Sequence, residues 1–160
     1  MARIEPKRPL LPSVLDRLLD DAPDVTREPP TSSHQHLRDL RDAVRRDLEN
    51  LLNTRKRLLA WPPRSEGERS ALAYGVPDLT GRNFSSKQRR ADFLRSVEDV
   101  LRRFEPRFKR VKVTPVETDE ALERTLHFRI DALLHAEPAP EQVAFDSTME
   151  PVTRTVHIKV

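Results

Sequence analysis

The residues best suited to a specific chemical task are Glu105, Pro106 and Arg107, which stand between Phe104 and Phe108. Proline stops a helix and stiffens the backbone, so the carboxylate and the guanidinium on either side of it keep fixed relative positions. A glycosidase needs two carboxyl groups facing each other across a sugar, and only one is present here. A stiff polar pair at a corner is expected to dock another protein instead.

Other reactive groups are scarce. The sequence has no cysteine and three glycines, and none of the glycines belongs to a GxGxxG or GxxxxGK phosphate-binding pattern. The serines stand at helix starts or in polar loops, where capping explains them. His34 and His36 are two residues apart in an expected helix and point to different faces, so they do not share a metal there. We expect no catalytic residues, no metal and no cofactor.

Charge is distributed unevenly along the chain. Residues 84–112 hold ten Lys or Arg against four Asp or Glu, whereas residues 113–160 hold four against nine. The basic stretch leaves a nucleic-acid-binding module open as an alternative, but acids are interleaved with the bases and no aromatic platform accompanies them. Protein partners of mixed charge therefore fit better, and we expect no nucleic-acid partner.

Two long helices are expected to carry these residues. Leucine and valine recur at steps of three and four from Ser33 to Leu59, and again from Ser85 or Ser86 to Phe104. The apolar segment Tyr74–Leu79 between them is expected to pin its loop to the core. Residues 1–33 are rich in proline and predict an arm with one short amphipathic helix, so that the domain proper spans residues 34–160.

After the second helix the apolar period becomes two. Alternating strands are expected at Val111 to Val113, at Leu126 to Leu134 and at Val152 to Val160, with a shorter strand at Val143 and Phe145. Helices followed by strands with short links predict an α+β fold, in which two long helices pack on one face of a small mixed or antiparallel sheet.

Membrane insertion is not expected. No apolar run approaches the roughly 20 residues that a spanning helix needs, and the first residues lack the apolar core of a signal peptide. We expect a cytoplasmic protein.

Several motifs in order resemble TssE and its relatives, the small baseplate wedge proteins of contractile tails. They are the segments Pro12–Leu18, Leu51–Arg55 and Tyr74–Leu79 and the Glu-Pro-Arg turn, of which the turn is the most specific. The resemblance implies a structural, non-enzymatic subunit of a type VI secretion baseplate. Proteins of this kind were once labelled lysozyme-like, so a peptidoglycan-cleaving enzyme is the other alternative.

The resemblance also implies partners. Glu105, Pro106 and Arg107 would contact the wedge core built from TssF and TssG, at a baseplate docked to the membrane. The sheet would offer a strand edge on which the sheath proteins TssB and TssC assemble.

The sequence indicates candidates for this strand edge. An edge strand carries unpaired N–H and C=O groups, and an incoming strand can complete its ladder. The C-terminal strand has few charged guards, so this strand, at Val156, His157 and Ile158, or the strand beside it is the candidate template. A central strand that is fully paired within the domain remains the alternative reading of this segment.

Overall fold

The computed structural model describes most of the two helices and the sheet. The described residues are 18, 24, 33–56, 67, 70–77, 86–116, 125–135, 140–150, 153 and 155–159. The expected N-terminal arm, residues 1–33, thus falls almost wholly outside them.

Both long helices form where apolar residues recur along one face. Helix α1 spans Ser33–Asn53 and helix α2 spans Lys87–Phe104. The start and end predicted for α2 are confirmed, but α1 ends six residues before the predicted Leu59. Its backbone leaves the helix because Thr54 and Lys56 hydrogen-bond instead to a distant loop residue, Val76.

That loop is fixed at Gly75. The N–H of Val76 donates to the carbonyl of Thr54 at 2.9 Å, and the N–H of Lys56 donates to the carbonyl of Val76 at 2.8 Å. Gly75 has a φ of +100°, and a Cβ at this position would lie 2.3 Å from the Thr54 oxygen. Only glycine fits both requirements. The buried Val76 confirms that this segment pins the loop to the core.

Four antiparallel strands follow in chain order and form a meander. They are β1 (Phe108–Pro115), β2 (Leu126–Leu134), β3 (Glu141–Glu150) and β4 (Thr155–Lys159), and the sheet order is β1-β2-β3-β4. β3 is longer than predicted. Residues 146–150 were expected to be a link, but Ser147 and Met149 keep the inward parity and pair with Ile158 and Val156 of β4.

The predicted α+β architecture is confirmed. One face of the sheet is apolar, and both helices pack against it, so that a single core joins residues of all six elements. Fully buried members from the helices and strands include Val44, Leu48, Val97, Leu101, Phe128, Ile130, Leu134 and Phe145. The meander leaves two strands, β1 and β4, at the margins of the sheet.

Candidate functional site

The Glu-Pro-Arg turn joins α2 to β1. Helix α2 ends at Phe104, and the N–H of Glu105 still donates to the carbonyl of Leu101 at 3.0 Å. Pro106 cannot continue the helix. The N–H of Phe108 then donates to the carbonyl of Glu105 at 3.2 Å, which closes a tight corner. The chain therefore changes from helix to strand within three residues.

Inside this corner Arg107 is held by two carboxylates. Its Nε lies 2.6 Å from Oε1 of Glu105, and its Nη2 lies 2.6 Å from Oε2 of the same residue. The backbone N–H of Arg107 also donates to Oε1, at 3.2 Å. On the other side Nη2 reaches Oδ2 of Asp47 at 2.6 Å. The guanidinium thus ties the corner to α1, in a paired geometry that gives strong, oriented contacts.

The charges of this cluster alter the pKa values of their neighbours. Burial alone would lower the pKa of Arg107, but the hydrogen bond and charge of Glu105, followed by those of Asp47, outweigh it and raise that pKa above its usual range. Burial raises the pKa of Tyr74, and the negative charges of Asp47 and Glu105 raise it further. The ring of Tyr74 packs edge-on against Phe104 at 5.4 Å.

The structure corrects one expectation for this corner. Both charges were expected to dock another protein, but Glu105 is 5% exposed and its carboxylate is engaged by Arg107. The side chain of Arg107 is 22% exposed, and of the three residues only Pro106 is classed as exposed. A buried carboxylate needs such a partner, because leaving it unpaired is costly. The outer surface of the turn is therefore Pro106 with one side of Arg107.

Among the described strands, the C-terminal strand β4 lies at a margin of the sheet and pairs on one side only, with β3. Val156 and Ile158 point into the core, whereas the side chain of His157 is 63% exposed and its Nδ1 lies 3.6 Å from Oε1 of Glu49. Successive residues of a strand direct their peptide groups to opposite sides. Val156 and Ile158 therefore direct theirs the same way.

A side chain of α1 covers one position of this edge. Nδ2 of Asn53 donates to the carbonyl of Val156 at 3.0 Å, and its Oδ1 accepts from the N–H of Val156 at 2.8 Å. The peptide groups of Val156 thus point away from β3, and so do those of Ile158. Among the described residues, none is found to bond the outward groups of Ile158.

The opposite margin, β1, is covered differently. The N–H of Val116 donates to the carbonyl of His127, so Val116 directs its peptide groups toward β2. Because this direction alternates along a strand, Thr114 and Lys112 also face β2. The residues that alternate with them, Val111, Val113 and Pro115, direct their peptide groups outward. Oε2 of Glu98 accepts from the N–H of Val113 at 3.0 Å. Pro115 has no N–H to offer.

Sequence reasoning missed three residues of these sites: Asp47, Asn53 and Glu98. Each lies on a helix and contacts a group between 15 and 103 residues away in the chain. Asn53 stands at a helix end, where an asparagine would normally be explained as a local cap. Their residue types alone carried no signal for these distant partners.

Other kinds of site are sparse in the part of the chain that the structure describes. No three His, Cys, Asp or Glu side chains there come together as a metal site, and no helix there is long and apolar enough to cross a membrane. An apolar pocket between Leu52, Phe93 and Phe128 has a volume of about 20 Å³, room for about one water molecule.

Comparison with known proteins gives one match. Neither a search of curated proteins nor a search of solved structures found a similar protein. The sequence pattern of the family described as baseplate wedge protein gp25 matches residues 38–139, which is more than half of the chain. The matched part includes most of α1 and all of α2, β1, β2 and the Glu-Pro-Arg turn. This chain therefore belongs to the gp25 family of baseplate wedge proteins.

Proposed function

We propose that this chain is a TssE-type subunit of a type VI secretion baseplate, in which it links the TssF/TssG wedge core to the TssB/TssC sheath. Its family assigns it a structural role among the subunits of a contractile-tail baseplate. The type VI setting, the named partners and a cytoplasmic position at a membrane-docked baseplate are the parts that we add.

The proposed contact with the wedge core is the outer surface of the Glu-Pro-Arg turn. Pro106 is exposed, and the side chain of Arg107 is 22% exposed. Glu105 has a different part in this proposal: it holds Arg107 in place from inside. A rigid corner loses little conformational entropy when a partner binds it.

The proposed contact with the sheath is the outer edge of β4. The observation that carries this proposal is that no described residue bonds the outward peptide groups of Ile158. An incoming strand could donate to and accept from Ile158 and replace the amide of Asn53 at Val156. This edge has neither a proline nor a carboxylate cap along Thr155–Lys159 among the described contacts.

β1 is less suited to the same task. A ladder along it would meet the carboxylate of Glu98 at Val113, and at Pro115 it would find no N–H. At its other end the pairing of β1 with β2 is irregular between Phe108 and Arg110. Interruptions of this kind are devices by which proteins block unwanted strand addition.

A matched pair of prolines tests the edge assignment. Ile158→Pro and Val111→Pro each remove one outward N–H and each replace a buried branched side chain, so their costs to the fold are comparable. We expect Ile158→Pro to stop TssB/TssC sheath growth from reconstituted baseplates, whereas Val111→Pro allows it. Circular dichroism and thermal melts establish that both variants fold. Equal growth from both, or loss only with Val111→Pro, would contradict the assignment.

A separate substitution tests the wedge contact. Pro106→Lys adds a long charged side chain at an exposed position and breaks no contact that the structure records. The control Gln88→Lys adds the same side chain at an exposed position of α2, where its ammonium can replace the amide that Gln88 donates to Asp92. In a pulldown with TssF and TssG, we expect at least a tenfold loss of affinity for the first variant and none for the second. If Pro106→Lys binds like the parent, the turn is not the contact.

The lysozyme-like alternative fits this geometry poorly. It would need Glu105 as an accessible acid, and that carboxylate is buried against Arg107. Incubation with purified cell wall tests it directly, because clearing of turbidity would indicate cleavage.

A further inference from the structure

An irregularity in β1 places two cations side by side. Phe108 pairs with Leu134 and Arg110 pairs with Leu133, so Lys109 is an extra residue opposite no partner, a β-bulge. Without it, strict alternation would send Phe108 and Val111 to opposite faces. With it both pack toward the core, and Lys109 and Arg110 are both exposed.

These two cations belong to a larger cluster. Lys112 follows two residues after Arg110 on the outer face of β1 and is also exposed. No carboxylate of the described residues forms an ion pair with Lys109, Arg110 or Lys112. By contrast, Arg129 on the same face of the sheet is paired with Asp146 at 2.8 Å. The β1 side of the outer face therefore carries more positive than negative charge, because three cations stand there beside one acid, Asp131, which lies opposite Lys112.

The cluster borders a wide groove. It has a volume of about 870 Å³ and runs across β1, β2 and β3, with the end of α2 at one side. Its lining includes apolar surface from Phe108, Leu133 and Ala144. It also includes Glu98, whose carboxylate is already engaged by Arg102 and by the N–H of Val113.

We propose that this groove, which we call the basic groove, binds an extended acidic segment of a partner protein. Arg110 and Lys112 are two residues apart on one strand, so their side chains leave the sheet roughly 7 Å apart. Acidic side chains at alternate positions of an extended segment have the same spacing. The backbone of such a segment would pass over Leu133 and Ala144, and the side chains between the acids would point away from the sheet. The ligand class is thus an extended peptide with Asp or Glu at every second residue.

A nucleic acid fits the same groove less well. Its backbone has a negative charge at every nucleotide, and Asp131 lies in the lining opposite Lys112. Bases bound by proteins usually stack on aromatic side chains, and the aromatic residue in the lining, Phe108, is half-buried against the core. An acidic peptide can leave a neutral residue opposite Asp131.

This surface is distinct from the edge of β4, so it can be tested on the isolated protein, independently of sheath or wedge binding. The probe is a fluorescein-labelled ten-residue peptide with Glu at alternate positions, followed by fluorescence anisotropy. We expect K109E/R110E to weaken its binding at least tenfold. The matched control K87E/R89E changes the net charge equally at exposed positions of α2, and we expect less than a twofold effect.

A second variant and a second probe complete the test. R110Q/K112Q removes charge without adding any, and we expect it to weaken binding about threefold or more. Backbone NMR shifts on adding the peptide should fall on residues 108–112 and on Leu133. Three outcomes would each overturn the proposal. The first two are equal weakening by the control variant and NMR shifts that fall on other residues. The third is a single-stranded DNA oligonucleotide of the same charge that binds more tightly than the peptide and is equally sensitive to the substitutions.

Discussion

The outward peptide groups of the two edge strands, β1 and β4, are satisfied in different ways. On β1 a charged side chain, Glu98, takes the outward N–H of Val113, and the strand is bent by a bulge at one end and lacks an N–H at Pro115 at the other. On β4 a neutral amide, Asn53, satisfies both peptide groups of Val156. The β1 margin is thus interrupted at Val113 and at Pro115, whereas the amide that caps β4 has the same donor and acceptor groups as a peptide unit.

The comparison separates two kinds of recognition. The β1 side offers side-chain charge, because its backbone is interrupted at Val113 and Pro115 and its outer face is basic. The β4 side offers backbone, because its outward peptide groups are capped at Val156 and no described residue bonds those of Ile158. A subunit that joins different partners benefits from such a division, since one partner then does not compete with another for the same groups.

The largest effect on stability is expected at Arg107, whose ion pairs with Glu105 and Asp47 tie the start of β1 to α1. Arg107→Ala leaves the buried carboxylate of Glu105 without its donors and frees Asp47. We expect a loss of about 3 kcal/mol in the free energy of unfolding, the lower end for a broken buried pair, because Arg107 is partly exposed. Urea denaturation measures it. Glu105→Gln/Arg107→Met, which removes both charges, should recover at least half of the loss; a loss below about 1 kcal/mol in the single variant would contradict this account.

The two caps should differ in a smaller but measurable way. Asn53→Ala removes two hydrogen bonds from Val156, and we expect it to cost about 1–2 kcal/mol and to speed amide exchange of Val156 at least tenfold. Glu98→Gln keeps an acceptor for the N–H of Val113, so its cost should stay below about 1 kcal/mol. Residue-resolved hydrogen exchange measures both. Unchanged protection of Val156 in Asn53→Ala would show that another group satisfies this edge.

The smallest effect concerns pH. The pKa of Tyr74 in the folded protein is raised above its usual value of 10.0, so the folded state holds this proton more tightly than the unfolded state does. Its contribution to stability is present in full below pH 10 and is lost as the pH rises through the folded pKa. Tyr74→Phe should therefore show a flatter decline of stability above pH 10. Tyr74 is the only tyrosine, so its ultraviolet titration gives the pKa directly; an ordinary value would contradict the expected burial.

Much of the fold was predictable from periodicity. Helix α2 and β2 carry long runs with a clear period, and their boundaries agree with the structure. β1 was predicted only from Val111 to Val113 and extends from Phe108 to Pro115. The end of α1 was placed wrongly at Leu59, because the apolar pattern continues while the backbone already bonds to Val76. β3 was predicted too short because Ser147, a polar residue, occupies an inward position.

The sites were predictable only in part. The Glu-Pro-Arg turn was found from residue types and adjacency, but its inward orientation depends on Asp47, which lies 60 residues earlier. The cap on Val156 joins residues 103 positions apart, a relation that no local pattern contains. The bulge could have been predicted from the sequence, because two successive charged residues between Phe108 and Val111 break the apolar alternation of β1.

The amide of Asn53 has one more consequence. Chemically it is equivalent to a peptide unit, so its replacement at Val156 by the backbone of another chain leaves the number of hydrogen bonds unchanged. Strand addition there would release a side chain and gain little enthalpy, and new bonds would begin only at Ile158. The affinity of such an attachment would then depend on side-chain contacts and on the number of copies in the assembly. Many weak, reversible contacts of this kind together give a stable complex through avidity.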